Sequence, residues 1–272
     1  MMVQQQLMNR ILTELLQQGM TLPASSSQSS GGIMMDNFLN STSVVPEFVG
    51  ASQTGDTIGM CIPSVDAILL DHLHVSKKFT VIGVLSSRTG AGPQIMAMDE
   101  AVKATNTEVI DVEWPRDTKG GAGHGVLILI GGYDPSDVRS AIQVALDNLS
   151  RTFGDVYNAA AGHLELQFTA RAAGAVHMAF GAPEGKAYGL ICGAPSGIGV
   201  VMADTAIKTA GVDVLSFASP SHGTSFSNEG TVHISGDSGA VRQAVIAGRE
   251  VGLKLLAQLG EKPVADFPSY IR

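Results

Sequence analysis

Aromatic residues make up only 5% of the 272 residues, cysteine occurs twice, and 17 Lys and Arg stand against 25 Asp and Glu. Each scarcity excludes something. Few aromatics disfavour a roomy aromatic-lined ligand pocket. A net charge of -8 with no basic stripe argues against nucleic acid, because phosphate binding needs concentrated positive charge. Cys61 and Cys192 lie far apart in the apolar runs GMCI and GLICG, with no CxxC or His spacing around them, and read as buried thiols of a reducing cytoplasm. No apolar stretch approaches the roughly 20 residues of a membrane helix, and no basic segment followed by an apolar core opens the chain. The expectation is a protein that is neither exported nor embedded in a membrane.

Familiar catalytic patterns are missing as well. HExxH, a Cys-His set, a G-x-S-x-G elbow and a Walker lysine do not occur. His124, His163, His177, His222 and His233 are scattered without metal-site spacing. No metal, cofactor or catalytic residue is therefore expected.

What is present is abundant glycine, 32 residues, in a sequence 44% hydrophobic. Residues 1–20 place Val3, Leu7, Met8, Ile11, Leu12, Leu15 and Leu16 at helical spacing opposite Gln, Asn, Arg and Glu, which predicts a short amphipathic helix. Residues 21–44 open on TLPASSSQSSGG, whose composition builds no core and reads as a flexible linker. A tethered amphipathic helix suits docking, with Leu7, Met8, Ile11, Leu12 and Leu15 as the contact stripe. Met34 and Met35 follow the TLPASSSQSSGG run and offer starts for a shorter product.

Beyond residue 45 the chain repeats itself. A strand and short helix at residues 56–73 match residues 163–180 in pattern. The apolar strand VIGVL, ending at Leu85, matches AYGLI, ending at Ile191. Met98-Asp99-Glu100-Ala101-Val102-Lys103 aligns with Ala203-Asp204-Thr205-Ala206-Ile207-Lys208, an offset of 204 − 99 = 105. Strands at TEVIDVEW and VDVLSFAS, then at GVLILIGG and GTVHISGD, precede two helices with apolar residues at i, i+3, i+4, i+7 spacing. Six elements in one order indicate duplication, with units at 45–155 and 156–260 and a tail at 261–272. Strands outnumber helices in each unit, so the fold class is α+β, an antiparallel sheet covered by helices.

Two glycine-rich turns, Thr89-Gly90-Ala91-Gly92-Pro93 and Gly193-Ala194-Pro195-Ser196-Gly197-Ile198-Gly199, superficially evoke a dinucleotide site, but their spacing is wrong for G-x-G-x-x-G. Their plain role is a sharp turn with close packing. A duplicated small-molecule enzyme or sensor that uses these turns stays open as a second function. Two loops, PRDTKGGAGHG and SPSHGTSFSNEG, occupy equivalent places and are rich in small polar groups. If units assemble around an axis, such loops converge there and line a path for a small polar molecule. The candidates are Trp114, Arg116, Asp117, Lys119, His124, Ser221, His222, Ser225, Ser227, Asn228 and Glu229.

Three passages together, SSRTGAGPQIMAMDEAVKATNTE, VVMADTAIKTAGVDVLSF and GTVHISGDSGAVRQAVIAGREVG, resemble bacterial microcompartment (BMC) shell domains. The A-D-x-x-x-K core is met by Ala203-Asp204 to Lys208, and by Met98-Asp99 to Lys103 with Met replacing Ala. The G-D-x-x-x-V helix start is met at Gly236-Asp237 to Val241 and loosens to Gly132-Tyr133-Asp134 to Val138. The span from Glu47 to Gly260 is similar to tandem-domain, circularly permuted shell proteins of propanediol-utilization microcompartments, with the ethanolamine and ethanol systems as alternatives. This resemblance implies two tandem permuted BMC domains and a homotrimer that mimics a hexamer and tiles a shell in the cytoplasm. Its implied partners are other shell proteins, encapsulated enzymes held by the N-terminal helix, and small polar metabolites in transit such as propanediol, glycerol or aldehydes. It also implies that Asp99, Lys103, Asp204 and Lys208, on exposed helix faces, stand at the tile edge. Neither nucleic acid nor membrane is an expected partner.

Overall fold

The computed structural model describes residues 45–115 and 124–272. The predicted helix at 1–20 and linker at 21–44 lie outside the described residues, as do Arg116, Asp117 and Lys119.

The first unit carries strands β1 (Phe48–Ser52), β2 (Thr57–Ile62), β3 (Val81–Ser87), β4 (Glu108–Glu113) and β5 (Val126–Gly132) in the antiparallel order β1-β2-β3-β5-β4. Its helices are α1 (Ala67–His72), α2 (Gly92–Ala104) and α3 (Pro135–Thr152). The second unit repeats this with β6 (Val156–Ala159), β7 (Gly162–Thr169), β8 (Ala187–Ala194), β9 (Asp213–Ala218) and β10 (Gly230–Gly236), ordered β6-β7-β8-β10-β9. Its helices are α4 (Gly174–Phe180), α5 (Ser196–Thr209) and α6 (Ser238–Ala257). The two sheets therefore share one topology.

Strand register aligns the units residue by residue. Val81 opposes Gly132 as Ala187 opposes Gly236, so β3 and β8 correspond at an offset of 187 − 81 = 106. Cys61 opposes Gly83 as Phe168 opposes Gly189, so β2 and β7 correspond at 168 − 61 = 107.

Helices start where their caps dictate. Pro135 and Asp134 open α3, with Asp134 accepting from Ser136 N, and Asp237 accepts from Gly239 N and Ala240 N at the start of α6. The apolar stripe Val138, Ala141, Ile142, Ala145, Leu146 and Leu149 of α3 is buried on its sheet, and Val241, Ala244, Val245, Gly248 and Gly252 do the same in α6. The glycines let the backbones close up: a Cβ on Gly252 would stand 2.6 Å from Met202 Sδ, and one on Gly199 would stand 2.1 Å from Gly230 O. The first turn of α5 is thus packed directly on the backbone of β10, and α6 directly on α5.

One core joins the units. Ile95, Met96, Met98 and Val112 of the first unit cluster with Ala172, Ala175, Val176, Ala179, Tyr188, Leu190 and Cys192 of the second. The tail is also part of the fold. Asp155, fully buried, pairs with Arg249 at 2.7 Å and accepts from Tyr270 N at 3.0 Å, while the Tyr270 hydroxyl donates to Gln167 Oε1.

Candidate functional site

The junction between units is built by α2. Its Asp99 is wholly buried and accepts from Ala173 N at 3.0 Å and Val176 N at 3.1 Å, so a carboxylate of the first unit caps α4 of the second. Helix α4 has no side-chain cap of its own. Lys103 Nζ lies 2.8 Å from Asp99 and also reaches Glu100 and Thr169. Burial raises the Asp99 carboxyl above its ordinary value, against the opposing pull of Lys103 and the two backbone donors. The expectation of an exposed face is corrected for Asp99, which the second unit buries, whereas Lys103 stays at the surface with its Nζ turned to Asp99, Glu100 and Thr169. Asp204 and Lys208 do form an exposed pair at 2.7 Å.

The same difference runs along the whole helix. Ile95 and Met96 are buried, whereas their counterparts Val200 and Val201 in α5 are 52% and 43% exposed. Ala175 and Val176 of α4 are buried, whereas Ile68 and Leu69, their α1 counterparts at the β2–β7 offset, are 66% and 44% exposed. One copy of the interface is closed within the chain. The other leaves both of its apolar halves bare.

Above the junction lies a cavity of about 90 Å³, bounded by Gly90, Ala91, Gly92, Trp114 and His124 from the first unit and by Glu165, Phe180, Cys192, Thr224, Glu229 and His233 from the second. Its aromatic wall is a stack: Phe180 lies 5.5 Å from Tyr188, 4.8 Å from His233 and 5.8 Å from Trp114. Tyr188 Oη and His233 Nδ1 share a 2.7 Å hydrogen bond, and burial depresses the His233 imidazole to about 4. Burial, and then the neighbouring Glu229 charge, push Glu165 up to about 8. Burial alone would raise Glu229, but His163 and Ser227 outweigh it and hold that carboxylate below its ordinary range. Ser227 Oγ donates to Glu229 Oε2 at 2.8 Å, and His163 Nε2 stands 3.1 Å from Oε1.

Of the pore candidates, Trp114, His124 and Glu229 meet at this cavity. Ser227 orients Glu229, and Asn228 Oδ1 accepts from Ser196 N at 3.2 Å. Ser221, His222 and Ser225 are exposed on the loop outside it. Glu165, Cys192 and His163 were missed by inspection of local spacing, because β-pairing places Glu165 beside Cys192 across 27 residues of sequence. The only signal was a charge inside the strand pattern HLELQF.

A family model described as "BMC domain" matches residues 82–161 and again 187–264, together more than half of the chain. The bacterial microcompartment shell protein PduB of Limosilactobacillus reuteri is 76% identical over 88% of this chain and 100% of its own length. A crystal structure of a trimeric bacterial microcompartment shell protein PduB superposes with a TM-score of 0.81 at 77% identity, over 83% of this chain and 100% of that one. EtuB from Clostridium kluyveri superposes with a TM-score of 0.80 at 48% identity, over 84% and 100%. The duplicated sheets and these likenesses agree, and the chain belongs to the family of BMC-domain microcompartment shell proteins.

Proposed function

We propose that three copies of this chain close into a ring of six BMC domains that tiles the shell of a propanediol-utilization microcompartment in the cytoplasm. One observation carries this: the apolar faces that meet inside the chain, α2 on α4, are left bare as α5 and α1 at equivalent positions. A face that cannot meet its own complement must find it on another copy, and such a head-to-tail contact closes into a ring. The trimeric state of the crystallised relative supports the count of three. Lys103 and Lys208 then stand at equivalent rim positions, where their stems reach neighbouring tiles. Replacing both with Ala should abolish extended sheets in electron micrographs while trimers persist; sheets that still form would remove the lysines from that role.

The tile passes small polar molecules such as propanediol, glycerol or aldehydes, through the loops at the ring axis or the cavity between units. Support comes from the polar lining that Thr224, His124 and Glu229 give the cavity, and from hydroxyls on the 219–229 loop. Thr224→Leu should slow pathway flux in cells whose shells look normal; unchanged flux would rule out the cavity as a route. The N-terminal segment, through Leu7, Met8, Ile11, Leu12 and Leu15, docks encapsulated enzymes or other shell parts. Its support is the amphipathic spacing and the tether that follows. Removing residues 1–33 should release cargo without dissolving trimers, and cargo that stays bound would end this assignment.

A further inference from the structure

The sheet of the second unit carries a set of donors that the duplication does not require. His163 on β7, Cys192 on β8 and Glu229 at the start of β10 bring Nε2, Sγ and a carboxylate oxygen within 4.8 Å of one another. The corresponding positions of the first unit can be read from register. Ile58 opposes Ser86 as Glu165 opposes Cys192, which pairs Ser86 with Cys192 and, two residues before Ile58, Asp56 with His163. Ser87 opposes Val126 as Gly193 opposes Gly230, so Gly125 stands where Glu229 does. Asp56, Ser86 and Gly125 offer neither a thiol nor an imidazole. The same fold is therefore built without the three donors, and their presence in one copy calls for a reason beyond packing.

The geometry points to a divalent metal site formed by His163, Cys192 and Glu229, with Zn²⁺ as the best-matched ion. A mixed nitrogen, sulfur and oxygen set suits a borderline-soft cation that accepts tetrahedral coordination. Zinc bond lengths give a tetrahedron with edges of about 3.3–3.7 Å. The Nε2 to Oε1 separation is already 3.1 Å, and no pair of the three donors is more than 4.8 Å apart. His163 Nε2 is buried with Glu229 Oε1 at 3.1 Å but without a well-aligned hydrogen bond, so a cation between the two would serve both donors. Ser227 Oγ, 2.8 Å from Glu229 Oε2, fixes the carboxylate by its second oxygen, the kind of outer contact that tunes metal affinity.

Cys192 and Glu229 border the cavity between units, while His163 borders a second cavity of about 310 Å³ lined by Asn158, Gly162, Pro195 and Asn228. Three protein donors leave a fourth position for water or a hydroxyl ligand from this space. The ion would also tie the end of the 219–229 loop to the body of the sheet, since Glu229 closes that loop and His163 and Cys192 sit on its two supporting strands.

The test uses the full chain, stripped with a chelator and titrated with Co²⁺ and then Zn²⁺. Wild type is expected to take one ion per chain and to show the sulfur-to-cobalt charge-transfer band, which Zn²⁺ then bleaches. Cys192→Ser should lose the band, while Cys61→Ser should keep it. Glu229→Gln and Ser227→Ala, with circular dichroism unchanged, should weaken Zn²⁺ binding by about 10-fold or more. Absence of a thiolate band in wild type, or equal Zn²⁺ affinity in wild type and Cys192→Ser, would overturn the site. Neither result depends on the trimer or on transport.

Discussion

Helices α2 and α5 are copies of one element with opposite fates. Helix α2 is buried along Ile95, Met96 and Met98 and spends Asp99 as a cap for α4, whereas α5 exposes Val200, Val201 and Ile207 and keeps Asp204 paired with its own Lys208. The difference teaches that surface apolarity in this chain is an unfinished repeat of a contact seen complete elsewhere in it. The copies are not identical, however. Helix α1 brings its own N-cap, Asp66, which accepts from Ile68 N at 2.7 Å, while Ala173 occupies that place before α4. Asp99 is therefore required inside the chain in a way that Asp204 is not required between chains.

The sharpest way to break this comparison is to place a charge at equivalent sites. Met96→Asp buries an unpaired carboxylate in the joint core and should cost more than about 4 kcal/mol, seen as insoluble chain or loss of cooperative urea unfolding. Val201→Asp should leave a folded chain that no longer assembles. Next in size is Asp99→Ala, which leaves the Ala173 and Val176 N–H groups without their acceptor and removes one partner of Lys103. It should lower urea stability by about 3–4 kcal/mol, whereas Asp204→Ala should cost only a few tenths.

A third contrast sets His233 against its first-unit counterpart, Leu129. The buried His233 titrates near 4 rather than 6.5, so the unfolded chain binds a proton between these values that the folded chain refuses. Stability is then full above about pH 6.5 and falls as pH drops toward 4, by roughly 3 kcal/mol. Urea melts of His233→Gln should show that slope flattened; an unchanged slope would place the acid sensitivity elsewhere.

Much of the frame was legible because periodicity and turn chemistry are local. The strand VIGVL, the helix around Asp99 and the stripe from Val138 to Leu149 lie where their patterns predict. Strands β1 and β6 went unread, since FVGAS and VYNA are short edge segments without alternation, defined by pairing to β2 and β7. The tail went unread for a similar reason: Tyr270 and Ile271 are held by Asp155, more than 100 residues away. At the candidate site, Trp114, His124 and Glu229 among the residues picked by loop polarity line the cavity. Glu165, Cys192 and His163 required register between strands, and Asp99, read as an exposed tile-edge carboxylate, proved to be a buried cap. An i,i+4 pair looks the same in sequence whether its partner is water or a second domain.

The most direct measurement is the solution mass of wild type and Val201→Asp by light scattering at matched concentrations. The account predicts three chains for the wild type and one folded chain for the variant. A monomeric wild type, or a variant that keeps the wild-type mass, would contradict it.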